Sequence, residues 1–341
     1  RTPMASVLTR SPCLRRAPFA ACTSSFLRRG FKAAPPPVVD PLEGIGSTDA
    51  DFGSLAVKTV GVVGAGQMGT GIAQVLAEVA QVEVLLYDAN PTAAVKALNL
   101  MHTNMRGRVS RGQMVIKTMD EIFSRIKTTS ELKTFERVDF VLEAVFESSE
   151  LKKSTLRHVA SVTRPEVVLA SNTASIPITR LASATSKPDK VVGMHFMQPV
   201  VAMPLVELVP GLDTSEQTLE TAFVVAEMMG KTPIKALDSP GFISFRILMA
   251  FINEAAYVLQ EGVGSARDVD SSIKLGTRSP MGPLELADFI GLDTCVATMR
   301  VLHQDLGQSK YSPCPLLVKY VEAGRLGRKS GRGFHVYKSP Q

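Results

Sequence analysis

Residues 60–88 constrain the fold of this chain more than any other stretch. The apolar run Val60-Gly61-Val62-Val63 is followed by Gly64, Gly66 and Gly69 at G-x-G-x-x-G spacing, and Ile72 to Val79 then carry apolar residues at helical intervals. A second apolar run, Val82-Glu83-Val84-Leu85-Leu86-Tyr87, ends on Asp88, 19 residues past Gly69. Strand, glycine turn, helix, strand and acid in that order predict a βαβ unit whose first turn receives a pyrophosphate. Gly64 suits the tight turn, Gly66 leaves the backbone open to a phosphate, and Gly69 lets helix and strand pack closely. The helix N-terminus adds free N–H groups and a partial positive charge. An acid at Asp88 can bond ribose hydroxyls and repels a 2′-phosphate, which selects NAD over NADP.

The alternation continues downstream. Besides 59–63 and 82–87, segments 138–142, 167–170, 191–194 and one near 204–209 read as strands, with helical patterns between them up to about Ala236. At Asp238-Ser239-Pro240-Gly241 the texture changes: Ile247 to Gln260 is apolar and helical, and 268–275, 283–306 and 314–323 read as helices. The expected class is α/β, a Rossmann-type doubly wound, mostly parallel sheet followed by an all-α C-terminal domain. The expected boundaries are 57–237 for the NAD-binding domain and 238–341 for a helical domain that supplies the substrate cleft and dimer contacts. The apolar helical block suits a dimer interface and an internal core equally well.

The net charge of +6 is not spread evenly. Arg1, Arg10, Arg15, Arg16, Arg28, Arg29 and Lys32 lie within 1–39 with no acid, so the remainder carries −1, which gives no basis for a nucleic-acid surface. Segment 1–39 is Arg-rich, Ser-rich and acid-free, the composition of an organelle transit peptide, with the mitochondrial matrix as the expected address and a plastid as the alternative. A basic tail with no address has the same composition. Residues 40–56 read as a linker. The longest apolar stretches fall short of a membrane span. Cys13, Cys22, Cys295 and Cys314 show no C-x-x-C spacing, so neither a metal site nor a disulfide framework is expected.

The second chemical signal is Gly193-Met194-His195-Phe196-Met197-Gln198-Pro199, followed by Leu205-Val206-Glu207-Leu208. A histidine at the end of an apolar strand is a candidate general base, because imidazole titrates near neutral pH. Glu207, 12 residues on, leaves enough chain to turn back and hold the other ring nitrogen. A single histidine also commonly does no more than satisfy a structural hydrogen bond, and residue type alone leaves both readings open.

SNTASIPITRLASAT (171–185), MHFMQPV (194–200), LVELV (205–209), SPGFI (239–243), PMGPLELADFIGLD (280–293) and GRKSGRGF (327–334) resemble the L-3-hydroxyacyl-CoA dehydrogenase family, nearest its 3-hydroxybutyryl-CoA branch, over roughly 57–337. The resemblance implies an oxidoreductase of fatty-acid β-oxidation or short-chain acyl-CoA metabolism, acting on an acyl-CoA, while the apolar helical block makes a homodimer the expected assembly. It matches His195 to the base that takes the 3-hydroxyl proton while hydride passes from C3 to NAD, and Glu207 to the acid that orients it. It assigns cofactor contacts to Gly64, Gly66, Gln67, Met68 and Gly69, to Asp88, to Glu147 and Lys152 in VFESSELKK, to Gln198 and to Lys329. By themselves, Glu147 and Lys152 read as a solvated helix start. Arg106, Arg108 and Arg111 fall on a predicted helix where the family meets coenzyme A, with Arg111 the candidate phosphate contact; an ordinary solvated face is the alternative.

Four positions depart from the family pattern: Ala174 stands for Ser, Gln198 for Asn, Pro204 for Lys and Phe245 for Asn. Ala174 and Phe245 fall on substrate-contacting positions. Alanine offers no donor and phenylalanine adds apolar bulk, and loss of one preorganised donor costs roughly 10²–10³ in turnover. Gln198 keeps its amide on a longer arm, and Ser244 and Ser175 are candidates to replace the lost hydroxyl. Three readings stay open: a working NAD-dependent dehydrogenase with a pocket remodelled for a short acyl-CoA, a weakened homologue serving as a structural or NAD-sensing subunit of an organellar complex, and a dehydrogenase of a free hydroxy acid. Phe245 lodged beside His195 would favour the second.

Overall fold

Eight strands form one sheet in the computed structural model, which describes residues 57–337; the expected leader 1–39 and linker 40–56 lie outside the described residues. The strands are β1 (Thr59–Val63), β2 (Glu83–Tyr87), β3 (Ile126–Thr129), β4 (Phe140–Glu143), β5 (Val168–Ser171), β6 (Val191–Phe196), β7 (Leu205–Pro210) and β8 (Thr232–Lys235). They lie in the order β3-β2-β1-β4-β5-β6-β7-β8. Strands β1 to β6 are parallel, β7 runs antiparallel to β6, and β8 is parallel to β7. The helices between strands are α1 (Gln67–Val75), α2 (Pro91–Ser110), α3 (Ile116–Ser124), α4 (Ser149–Val162), α5 (Ile178–Ala182) and α6 (Glu216–Met228). After β8 the chain is helical: α7 (Ser244–Gln260), α8 (Ala266–Thr277), α9 (Pro283–Ile290), α10 (Leu292–Leu306) and α11 (Pro315–Glu322).

Both faces of the sheet are covered, which is why its inner strands read as continuous apolar runs. One face packs Val60, Val62, Val84 and Leu86 against Ile72, Leu76, Met101 and Met105. The other packs Val63, Val141 and Leu169 against Phe135, Leu156, Val159 and Leu181. A third cluster, built on Met249, Ile252, Cys295, Met299, Leu302 and Leu317, is the core of the C-terminal helices.

Three details differ from the sequence pattern. Strands β3 and β8 are four-residue edge strands with mostly exposed side chains, so they carry little apolar signal. The expected helix 283–306 is two helices, because Gly291 at φ +103 breaks it between α9 and α10. The run after the glycine turn leaves the α form at Val75 and closes with a π turn over Leu76–Ala80.

The chain runs outward from β1 to β2 and β3, then returns to place β4 on the other side of β1. Ligands of open α/β sheets bind at such a switch point, beyond the carboxyl ends of the strands. The glycine turn lies there. Gly64 has φ +105, and a Cβ on Gly69 would strike the Gly64 carbonyl, whereas a Cβ on Gly66 would meet open space. Gly69→Ala is therefore expected to cost about 1–3 kcal/mol in urea unfolding, and Gly66→Ala less than about 0.5 kcal/mol, while both weaken NAD binding. Equal stability losses for the two variants would contradict the packing described.

Candidate active site

The antiparallel register of β6 and β7 sets His195 directly opposite Glu207. Directly opposed residues on one sheet face bring their side chains within bonding reach, and the turn between the two strands spans only 197–204. His195 Nδ1 lies 2.7 Å from Glu207 Oε2, with the residues only 3% and 1% exposed. Glu207 accepts three further bonds from the start of α7: from Ser244 Oγ to Oε2 (2.7 Å), from Ser244 N to Oε1 (2.8 Å) and from Ile243 N to Oε1 (3.0 Å). Burial alone would raise the carboxyl, but the bonds from His195 and Ser244 outweigh it and hold Glu207 below its ordinary 4.5. A carboxylate depressed in the folded state stabilises the protein above its ordinary pKa, and that contribution is lost as pH falls through the depressed value. At neutral pH Glu207 is thus an acceptor only. Nδ1 therefore donates to it, which leaves Nε2 as the ring nitrogen for proton transfer.

The nucleotide end of the site is built from backbone. Gly66 caps α1 without a side-chain bond, and the first turn of α1 holds no acid, so its N–H groups are free for an anion. Asp88, at the end of β2, accepts from Ala65 N (2.8 Å) and Asn90 N (2.8 Å), which ties the glycine turn to the strand end where a ribose would rest. The open space over Gly66 and the acid at Asp88 fit an NAD pyrophosphate and ribose.

Glu147 lies in the loop after β4, where it gathers the 173–175 loop after β5. Its Oε1 accepts from Thr173 Oγ1 (2.6 Å), Ser175 Oγ (2.9 Å), Ala174 N (3.0 Å) and Ser175 N (3.1 Å). Burial would raise this carboxyl too, but the Lys152 ammonium and the bonds from Thr173 and Ser175 hold it low. Lys152 is not the solvated residue that its local sequence suggests. It is 1% exposed, with Nζ 2.8 Å from Glu143 Oε1, 3.2 Å from Val145 O and 3.5 Å from Glu147 Oε2. Glu143, fully buried at the end of β4, also accepts from Val145 N (2.7 Å) and Ser171 Oγ (2.6 Å).

A cleft of about 1110 Å³ joins these parts. It is lined by Gly64, Gly66, Gln67 and Met68 of the turn, by Asp88, and by Glu147, Ala174, His195, Gln198 and Lys329. Phe289, Ile290, Thr294 and Thr298 of α9 and α10 line it from the C-terminal side, and Asn172 from the sheet. Asn172 Oδ1 accepts from Phe196 N (2.9 Å), which pins the end of β6 beside the histidine. Asn172 lies inside the SNTASIPITRLASAT motif, which carries a signal for it; Thr294 and Thr298 sit in an ordinary amphipathic helix that carries none.

Five residues proposed from sequence do not line the cleft. Gly69 is packed beneath the turn, Glu207 stands behind His195, and Lys152 is enclosed behind Glu147. Arg111, the C-cap of α2, borders a separate recess of about 590 Å³ with Arg108, which is paired to Glu78 (2.6 Å). Phe245 stands edge-on to His195, ring centroids 5.0 Å apart at 73°, with Phe242 at 5.7 Å and 58°. Neither candidate hydroxyl replaces the one absent at Ala174: Ser175 Oγ donates to Glu147 and Ser244 Oγ to Glu207.

The sequence profile of the 3-hydroxyacyl-CoA dehydrogenase NAD binding domain matches residues 59–239, and that of the C-terminal domain matches 241–337. The chain is 46% identical over 284 residues to a probable 3-hydroxybutyryl-CoA dehydrogenase of Bacillus subtilis (strain 168), covering 83% of this chain and 99% of that protein. It is 46% identical over 285 residues to the 3-hydroxybutyryl-CoA dehydrogenase of Bradyrhizobium diazoefficiens, covering 84% and 97%. Among solved structures, an (S)-3-hydroxybutyryl-CoA dehydrogenase from Ralstonia eutropha superposes with a TM-score of 0.79 at 41% identity, over 83% of this chain and 100% of that one.

Removing one partner of a buried ion pair strands the other. Lys152→Met is therefore expected to cost about 3–5 kcal/mol in urea unfolding, against a loss under about 1 kcal/mol for the same change at Lys153, whose pair with Glu150 is exposed. Similar midpoints for the two variants would contradict the buried placement of Lys152.

Proposed function

We infer that this chain, which belongs to the 3-hydroxyacyl-CoA dehydrogenase family, works on short-chain thioesters and that His195 is its proton-transfer group. Its chemistry is the NAD-dependent interconversion of a 3-hydroxyacyl-CoA and the 3-oxoacyl-CoA. When bound, NAD supplies the hydride acceptor. The chain's own residues do the rest. In oxidation, His195 Nε2 takes the proton of the substrate 3-hydroxyl, and the charge that develops on the ring is met by Glu207 through Nδ1 (2.7 Å). In reduction the same nitrogen returns the proton. The observation that carries this reading is the buried His195–Glu207 pair at the wall of the glycine-turn cleft. The acyl preference rests on the near end-to-end similarity to 3-hydroxybutyryl-CoA dehydrogenases.

Cofactor-contact roles are assigned to Gln67, Met68, Asp88, Glu147, Gln198 and Lys329, all of which line the cleft. Lys152 supports Glu147 rather than touching the cofactor. Arg111, exposed and bonded to Gln113 Oε1 (3.2 Å), is assigned to the coenzyme A phosphates. The Phe245–His195 contact speaks for a second reading, a chain that binds NAD and turns over little.

The test is NADH absorbance with acetoacetyl-CoA. Turnover is expected from the native protein, with a loss of about 10²–10⁴ in His195→Gln and a raised KM for acetoacetyl-CoA alone in Arg111→Ala. Ala174→Ser combined with Phe245→Asn is expected to raise turnover about tenfold or more. NAD binding without turnover in both the native and the double variant would assign the second reading.

The composition of 1–39 supports delivery to the mitochondrial matrix, with a plastid as the alternative, and a fusion of this segment to a fluorescent protein is expected to enter one of those organelles rather than stay in the cytosol. Ile243 at the N-cap of α7, with Ile247 and Phe251 on the helix, leaves an exposed apolar stripe at i, i+4, i+8, which supports a homodimer. Light scattering is expected to give twice the chain mass, and the single mass for Ile247→Asp; a native monomer would contradict it.

A further inference from the structure

We propose that Ser244 is a positioning residue for the base: its hydroxyl and amide hold the Glu207 carboxylate ionised and turned to His195 Nδ1, so that the first turn of α7 completes the reacting pair. This rests on the dehydrogenase reading above.

The geometry is specific. Oε2 of Glu207 receives both His195 Nδ1 and Ser244 Oγ at 2.7 Å, and Oε1 receives Ser244 N at 2.8 Å and Ile243 N at 3.0 Å. Four donors occupy the roughly four lone-pair sites of a carboxylate, and three of them come from α7 and its cap. Among the described residues, His195 is the titratable group in contact with Glu207. The partner on β8 is Ile234, in register. The nearest charges along the α7 approach turn elsewhere: Arg246 Nη1 donates to Ser239 Oγ (3.2 Å), and Asp238 accepts from Ile178 N (2.7 Å) and Thr179 N (2.8 Å). With His195 neutral, the Glu207 charge is therefore held by hydrogen bonds alone.

The hydroxyl has a distinct consequence. A donor on Oε2 makes the carboxylate less basic, so in the protonated pair the shared proton stays on Nδ1 and the imidazolium faces a carboxylate rather than a neutral acid. The same turn also flanks the imidazole, with Phe242 and Phe245 at 5.7 and 5.0 Å from its ring. Ser244 thus sets the acid while its neighbours set the ring. Loss of the hydroxyl raises Glu207 toward its ordinary 4.5, which moves protonation of the pair to higher pH.

The test compares native full-length protein with Ser244→Ala and Ser244→Thr. In acetoacetyl-CoA reduction, Ser244→Ala is expected to lose roughly tenfold in kcat, to keep both KM values within about twofold, and to shift the acid limb of the kcat–pH profile upward; Ser244→Thr is expected to restore most of kcat. Proton NMR of the same proteins reads the His195 Nδ1 proton without turnover, assigned by its absence in His195→Gln. That resonance is expected far downfield in the native and threonine proteins and displaced in the alanine variant. An unchanged profile and resonance in Ser244→Ala overturn the proposal. Equal losses in the alanine and threonine variants with the resonance unmoved overturn it as well, since packing alone would explain them. A native protein without turnover whose resonance still responds to Ser244→Ala sinks the dehydrogenase reading, and with it the catalytic role of Ser244, while the Ser244–Glu207–His195 coupling itself stands. If Ser244→Ala does not fold, Ser244→Cys, isosteric with a weak donor, replaces it in both measurements.

Discussion

The pairing of β6 with β7 is the constraint on which the rest of the site depends. It is the antiparallel ladder in a sheet otherwise built from parallel pairs, and its register alone brings His195 and Glu207 face to face. A slip of one residue would send one of the two side chains to the opposite face. Burial of the alternating neighbours resists that slip: Met194, Phe196, Val206 and Leu208 belong to one core, and Val209 to the other. Packing on both faces therefore does the positioning that the chemistry needs.

The reacting pair is assembled from two layers. The sheet supplies imidazole and carboxylate, and the C-terminal helices supply donors to the carboxylate, aromatic rings beside the imidazole and one wall of the cleft. A buried anion is costly unless its lone pairs are satisfied, and Glu207 is satisfied largely from α7. The same logic recurs on the cofactor side. Glu147 holds the 173–175 loop, and Lys152 and Glu143 hold Glu147's segment from within. Both carboxylates sit below their ordinary range because neighbouring donors outweigh burial. Ala174 leaves this frame intact, since its backbone N–H still donates to Glu147 (3.0 Å), but it removes a side-chain donor from the cleft.

Much of this was legible in the sequence, for identifiable reasons. The β1–α1–β2 unit was readable because a glycine turn requires specific residues at specific steps, β1 is buried on both faces and β2 buries Val84 and Leu86. Residue type leaves His195 open between a base and a structural histidine, and the ordered motifs at 194–200 and 205–209 are what single out its pairing with Glu207. Edge strands β3 and β8 were not readable, because strands that bury few side chains lack the pattern that marks strands. VFESSELKK by itself reads as solvated, and only the fold reveals that Lys152 is buried against Glu143, nine residues earlier. The Phe245–His195 contact and the role of Ser244 depend on how α7 meets the sheet, a distance between parts of the chain that local patterns do not encode.

The most direct test of the central claim is a crystal structure with NAD and acetoacetyl-CoA bound. The C3 oxygen of the substrate is expected within about 3.2 Å of His195 Nε2, with Nδ1 still on Glu207, the pyrophosphate on the glycine turn and the nicotinamide beside the substrate C3. A thioester seated elsewhere, or an imidazole turned off Glu207 and away from the C3 oxygen, would contradict the account.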